Sequence, residues 1–219
     1  MSDDLHDVEF CHHEPMLSDP QPCGTPSTRL VVIRGNSGSG KSTVAAMVRQ
    51  RAGRRCALIG QDHFRRIVLW EQDKAGGLIC DYLASNVRFL LDHGRNVVLE
   101  GILWSGKYGD MLRGLLDSHQ GHSSVFYLDV SFEETVNRHG TRPEAGFSAE
   151  QMRDWYNAGD VLGVPGEDVI AENSSREQTV ERIGQLSGLW SGDDSPSHGL
   201  PDESHIQDGQ ALPKVGLPG

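Results

Sequence analysis

Eight residues concentrate the chemistry of this chain. Gly35-Asn36-Ser37-Gly38-Ser39-Gly40-Lys41-Ser42 fits the pattern G-x-x-x-x-G-K-[ST] and lies between an apolar run, RLVVIR, and a stretch with helical spacing. Glycines let the backbone curl so that successive N–H groups converge on one point, and the helix that follows adds the positive end of its dipole. Such a cup takes anionic oxygens. Lys41 would reach the β- and γ-phosphates, the Ser42 hydroxyl would take one Mg²⁺ position, and Thr43 completes the binding stretch. The plain alternative is a Gly/Ser turn between strand and helix. The full-length pattern in its correct frame instead predicts a loop that holds the phosphates of a nucleotide, ATP.

What happens to that nucleotide depends on the ends of the other strands, because in an open α/β sheet the ligand crevice lies beyond them. A second apolar run ends in GQDHFRR, which places Asp62 at the crevice with Arg65 and Arg66 one helical turn later. A carboxylate there can take the proton of an acceptor hydroxyl, and a guanidinium can hold an anionic acceptor or steady a transferring phosphoryl group. The other reading of Asp62 is a helix N-cap. A third run ends in Glu100-Gly101, where a carboxylate can serve the Mg²⁺ water shell or the acceptor, or simply pair with an arginine. Trp104, Lys107 and Tyr108 follow, as an acceptor pocket or as a surface loop with packed aromatics. Arg138 ends a helical stretch and Arg142 sits in a Gly/Pro-rich one, which suits a short lid closing over phosphates. The alternative is arginines answering a helix dipole. Trp155 and Tyr156 read as core anchors, and IAENSSREQ would pass the adenine edge.

These residues need a scaffold. Residues 29–34, 55–60, 96–101, 123–130 and 167–172 are short β-branched runs, which read as buried parallel strands. Helical periodicity fills the intervals at 42–52, 63–70, 78–93, 106–119, 132–139, 149–158 and 176–189. Ser131/Glu134, Ser148/Gln151 and Ser175/Gln178 have capping-box spacing at three helix starts. Five strands with helices between them make a doubly wound, three-layer α/β domain with a five-stranded parallel sheet.

The chain of 219 residues has a net charge of −11, and the ends account for nearly all of it: residues 1–28 carry −6, residues 191–219 carry −4, and 29–190 are left with −1. A near-neutral core opposes wrapping of a long nucleic acid, whose affinity comes from neutralised phosphates. The composition predicts disordered tails at 1–28 and 191–219 around one domain at 29–190. CHH at Cys11 to His13 has no second ligand pair and reads as part of a mobile tail rather than a metal site. Cys11, Cys23, Cys56 and Cys80 form no C-x-x-C pair, so free thiols in a reducing compartment are expected. The acidic N-terminus is unlike a secretory signal, and no apolar run nears the roughly 20 residues of a membrane span. These features predict a cytoplasmic protein, off the membrane, that is a monomer or weak dimer.

IRGNSGSGKST, GQDHFRR, VVLEGIL, KYGDML, FYLDVSFEETVNRH and DVLGV together resemble bacterial P-loop kinases of the zeta-toxin, chloramphenicol-phosphotransferase and uridine-kinase-like group, over about residues 29–190. The resemblance implies a nucleoside-monophosphate-kinase-like fold. It also implies Lys41 and Ser42 as phosphate and Mg²⁺ ligands, Asp62 as base, Arg65 as a substrate-side arginine, and Arg138 with Arg142 as the lid. His63-Phe64-Arg65 departs from the serine and aromatic pair that usually follows the aspartate in uridine kinases. The expected activity is ATP- and Mg²⁺-dependent phosphorylation of a hydroxyl on a small molecule: a nucleoside, a nucleotide sugar or an antibiotic. The rivals are a nucleotide-hydrolysing switch, for which a guanine-reading N-K-x-D is missing, and a toxin-like kinase with an antitoxin partner.

Overall fold

The computed structural model describes residues 21–72, 77–140 and 148–190. Five strands, β1 (Arg29–Gly35), β2 (Cys56–Gly60), β3 (Asn96–Gly101), β4 (His122–Asp129) and β5 (Asp168–Ala171), form one sheet in the order β2-β3-β1-β4-β5. Every neighbouring pair is parallel. Helices α1 (Lys41–Ala52), α2 (Gln61–His63), α3 (Ile79–Asp92), α4 (Ser105–Ser118), α5 (Phe132–Gly140), α6 (Ala149–Asp154) and α7 (Arg176–Ser187) complete the chain order.

The central strand explains the layering. Leu30, Val31, Val32 and Ile33 are all fully buried, and strand geometry sends alternate side chains to opposite faces. Leu30 and Val32 share one core with Ile79, Leu83, Val87 and Leu91, which recur every fourth residue along α3, and with Leu112 and Leu115 of α4. Val31 and Ile33 meet α1 and α7, through Val44, Val48, Val180 and Ile183. Each such side chain stabilises the fold by about 1.5–3 kcal/mol through burial. A polar substitution on β1 therefore damages one of two separate cores.

Four local expectations are corrected. The helix expected at 63–70 is a single α turn, α2, continued by a π-helical turn at Phe64–Val68, where the Leu69 N–H bonds to the Phe64 carbonyl. The helix expected at 149–158 stops at Asp154. Ser148/Gln151 and Ser175/Gln178 form complete capping boxes, whereas Ser131/Glu134 forms half of one. There the Ser131 N–H donates to Glu172, and Glu134 accepts from Arg138 instead. Finally, residues 21–28 of the stretch read as a tail lie against the domain. The Cys23 N–H donates to the Ser118 carbonyl, the Gln120 N–H to that of Cys23, and Cys23 and Thr28 are buried.

Cys23 and Cys56 are free thiols, and burial pushes the Cys56 thiol up to about 11, so it is packing rather than chemistry. Among the described residues no helix is long and apolar enough to cross a membrane. Residues 1–20 and 191–219, with Cys11 to His13, lie outside the described residues.

Candidate active site at the phosphate loop

The loop between β1 and α1 curls on itself through the Ser39 N–H, which donates to the Asn36 carbonyl at 3.1 Å. Gly38 (φ 82°) and Gly40 (φ 93°) take the left-handed backbone that the curl requires. At Gly38 a side chain is doubly excluded, since a Cβ would lie 2.6 Å from the Thr135 carbonyl oxygen of α5. Val44 makes a helical bond to the Gly40 carbonyl, so the amides ahead of it project from the N-terminal end of α1. Lys41 folds back over the loop and donates to the Asn36 carbonyl at 3.2 Å.

Asn36, buried, clamps the loop to the chain beyond α6. Its Nδ2 donates to the Asn157 carbonyl at 2.8 Å and to the Tyr127 hydroxyl at 3.3 Å, while its Oδ1 accepts from the Asn157 N–H at 3.0 Å. One residue before the loop, Arg34 is fully buried. It donates to Asp160 at 2.9 Å, to Glu167 at 3.1 Å and to the Leu103 carbonyl at 3.1 Å. Asp160 accepts in turn from the Ser105 N–H and hydroxyl. The loop strand, the β3–α4 turn and the 157–167 segment are thereby tied together.

Two cavities flank the loop. One, of about 590 Å³, is floored by Gly38 to Gly40 and walled by Arg138 and the segment after β5, including Glu172 and Arg176. The stretch expected to pass an adenine edge lines it. Arg138 reaches the loop directly: its Nη1 donates to the Ser39 carbonyl at 3.2 Å, its Nη2 to that of Glu172 at 3.2 Å, and its Nε to Glu134 at 2.6 Å. The hydrogen bond from Arg138, then that from Asn137, holds the Glu134 carboxyl below its usual range. Hydrogen bonds from Ser131 do the same for Glu172. Arg142 falls at 141–147, outside the described residues.

The second cavity, of about 700 Å³, opens on the other side of the loop and is lined by Lys41, Ser42, Asp62, Glu100, Trp104 and Trp155, among others. The Ser42 hydroxyl donates to Glu100 Oε2 at 2.9 Å, so Glu100 pairs with the loop rather than with an arginine. Asp62 stands in the first turn of α2, whose cap is Gly60, and so is not an N-cap. It accepts from Arg65 at 2.8 Å and from Arg66 at 3.4 Å. With Asp62 59% exposed, these ion pairs contribute about 0.2–1 kcal/mol. Gly101 lets β3 and α2 approach, since a Cβ there would lie 2.7 Å from Gln61 Cβ.

The structure therefore brings Lys41, Ser42, Asp62, Arg65 and Glu100 to one cavity and puts Arg138 on the other side of the same loop. Sequence reasoning missed Arg34 and Asn157, and it took Trp155 for a core anchor although it is 42% exposed on the second cavity. Tyr156 does anchor, donating to the Val130 carbonyl and packing on Phe132. Among the described residues no group of three or more His, Cys, Asp or Glu could hold a metal ion. The Ser42/Glu100 oxygens instead fit a hard cation such as Mg²⁺ that takes its remaining ligands from water and phosphate.

A parallel sheet in this order, with the phosphate loop at the end of its central strand, defines a P-loop NTPase fold. The chain belongs to the AAA domain family, whose profile matches residues 30–155. Solved structures share the fold. A sugar kinase from Janibacter sp. HTCC2649 is 20% identical, covering 74% of this chain and 95% of that one, with a TM-score of 0.58. The Mycobacterium tuberculosis APS kinase, in complex with AMPPNP and APS, is 18% identical over 78% of this chain and 99% of that one, TM-score 0.55. A gluconokinase from Sinorhizobium meliloti is 14% identical over 77% and 97%, TM-score 0.54. At these identities the likeness is one of fold. No curated protein matches the sequence.

Proposed function

We propose that this protein is an ATP- and Mg²⁺-dependent kinase that transfers the γ-phosphoryl group to a hydroxyl of a small molecule, a nucleoside, a nucleotide sugar or an antibiotic. The observation that carries this reading is the pair of cavities on opposite sides of one phosphate loop, with Asp62 in the second. A hydrolysing switch needs only the first. The solved structures titled sugar kinase, gluconokinase and APS kinase support it through their fold. So does the resemblance of the sequence to the zeta-toxin and chloramphenicol-phosphotransferase group.

The loop amides and Lys41 would hold the phosphates, with the base and ribose in the cavity beside Arg138. Ser42 and Glu100 would hold Mg²⁺, which when bound neutralises phosphate charge. Asp62 accepts the proton of the acceptor hydroxyl as its oxygen bonds to the γ-phosphorus. The bond from that phosphorus to the β–γ bridging oxygen breaks, and ADP leaves. Arg138, already on the loop, donates to the phosphoryl oxygens.

The test measures ADP release by the full chain against acceptor panels, with AMPPNP binding by calorimetry. Lys41→Ala abolishes nucleotide binding or transfer. Asp62→Asn keeps AMPPNP affinity and slows transfer about 10²- to 10⁴-fold. Full transfer by Asp62→Asn removes the base, and ATP turnover that no acceptor stimulates removes the kinase.

A further inference from the structure

The β3–α4 turn carries a backbone strain that nothing in the nucleotide side of the site uses. Leu103 has φ 45°, a left-handed conformation in a non-glycine residue, and its side chain is fully buried. Such a residue is strained and persists only where its surroundings hold it. Here the holders are visible. Arg34 Nε donates to the Leu103 carbonyl, and Asp160, itself paired with Arg34, receives the Ser105 N–H at 3.0 Å. Between these two fixed points stands Trp104.

Trp104 is 46% exposed and lines the cavity that contains Asp62. Its backbone is set, because its carbonyl accepts from the Lys107 and Tyr108 N–H groups at 3.0 and 2.8 Å as α4 begins. Its indole lies close to α4. A Cβ at Gly106 would lie 2.9 Å from Trp104 Cζ2, so the ring lies across α4 over a residue with no side chain. A large aromatic ring on a fixed backbone, left half open to solvent, forgoes burial that it would otherwise gain. Trp155 adds a second exposed indole to the same cavity.

The charges of this cavity narrow what rests there. Lys41, Arg65 and Arg66 face Asp62, Glu100 and Asp154, three cations against three acids, and both arginines bridge Asp62. Once Lys41 serves the phosphates and Glu100 the Mg²⁺, the described residues of the wall keep two arginines against Asp62 and Asp154, with no surplus positive charge for an anionic acceptor. We infer that the acceptor is a neutral, ring-bearing alcohol, a sugar, nucleoside or uncharged aromatic antibiotic, whose ring face lies on the indole of Trp104. Trp104 is then a specificity residue, and Arg34 positions it through Leu103. This rests on the kinase reading and deepens it.

The experiment uses the full chain with ATP or AMPPNP and seven probes. Four are neutral (glucose, adenosine, uridine and chloramphenicol) and three anionic (gluconate, glycerate and adenosine 5′-phosphosulfate). Phosphotransfer and intrinsic tryptophan fluorescence are both read. At least one neutral ring compound is expected to be phosphorylated and to quench fluorescence. Trp104→Ala then raises its KM about 10- to 100-fold while AMPPNP affinity stays unchanged, and Trp104→Phe recovers most of the loss. The neutral compound that responds distinguishes sugar, nucleoside and antibiotic. Transfer only to anionic compounds, or an acceptor KM that Trp104→Ala does not move, overturns the platform and leaves the kinase standing. Quenching by a neutral ring compound without transfer to any probe does the reverse. No binding and no transfer overturns both.

Discussion

Arg34→Met keeps the aliphatic stem of a fully buried side chain and deletes its guanidinium. Three charge-assisted hydrogen bonds go with it, to Asp160, Glu167 and the Leu103 carbonyl. Removing one partner of a buried ion pair costs about 3–5 kcal/mol, chiefly because the charges left behind are uncompensated. The acids here keep some support. Asp160 retains the Ser105 N–H and is 11% exposed, so water can reach it. Glu167 retains the N–H groups of Leu162 at 2.9 Å and Gly163 at 2.8 Å. The expected loss is therefore at the low end, about 3 kcal/mol. For a domain of this size that lowers Tm by about 6–12 °C. Urea unfolding followed by circular dichroism, with an unchanged slope and a lower midpoint, reads it directly. Adding Asp160→Asn and Glu167→Gln to the variant should restore part of the loss, since the stranded charges are then gone. A loss under about 1 kcal/mol, or no recovery on neutralising the acids, refutes the idea that this network holds the loop strand.

Gly38→Ala should lower AMPPNP affinity at least about 10-fold by calorimetry, because the new Cβ meets the Thr135 carbonyl and the backbone is left-handed; unchanged binding would mean that the loop is not the anion cup. His119 lies buried between the Thr28 and Ser123 hydroxyls, and burial, then the charges of Arg29 and His122, pull its pKa below 6.5. The folded state thus binds its proton less readily than the unfolded chain. Stability is full above 6.5 and falls as pH drops from there through the lowered folded value, by at most about 1.4 kcal/mol per pH unit. Subtracting the pH profile of His119→Asn isolates this contribution, and superimposable profiles would exclude it.

The scaffold was legible because its signals are local. Each strand is a short apolar run buried on a parallel sheet, and α3 advertises its buried face by apolar residues at every fourth position. The phosphate loop was legible for the same reason, since its curl and its lysine lie within eight residues. Where local signals failed, a distant partner had intervened. Ser131 and Glu134 have capping-box spacing, but Glu172 takes the Ser131 N–H and Arg138 takes Glu134. Residues 21–28 look like tail by composition, and it is their bonds to distant residues, among them Asp92, Ser118, His119 and Gln120, that hold them.

Distance in sequence also explains which site residues stayed hidden. Asp62 and Glu100 could be read from strand ends, where topology guarantees proximity to the loop. Arg34 could not, because its acids lie 126 and 133 residues further along. Asn157 offers the loop only backbone groups, so no side-chain type marks it, yet it takes three hydrogen bonds with Asn36 and Tyr127. The same clamp accounts for the early end of α6. Continued helix would commit the Asn157 N–H to the carbonyl four residues back, and Asn36 needs that donor. Leaving the helix at Asp154 frees the chain to serve the loop, and it turns Trp155 from the core anchor its composition implies into a wall of the cavity beside Asp62. The phosphate loop and the wall of the cavity beside Asp62 are therefore specified together, by bonds that neither segment's sequence displays alone.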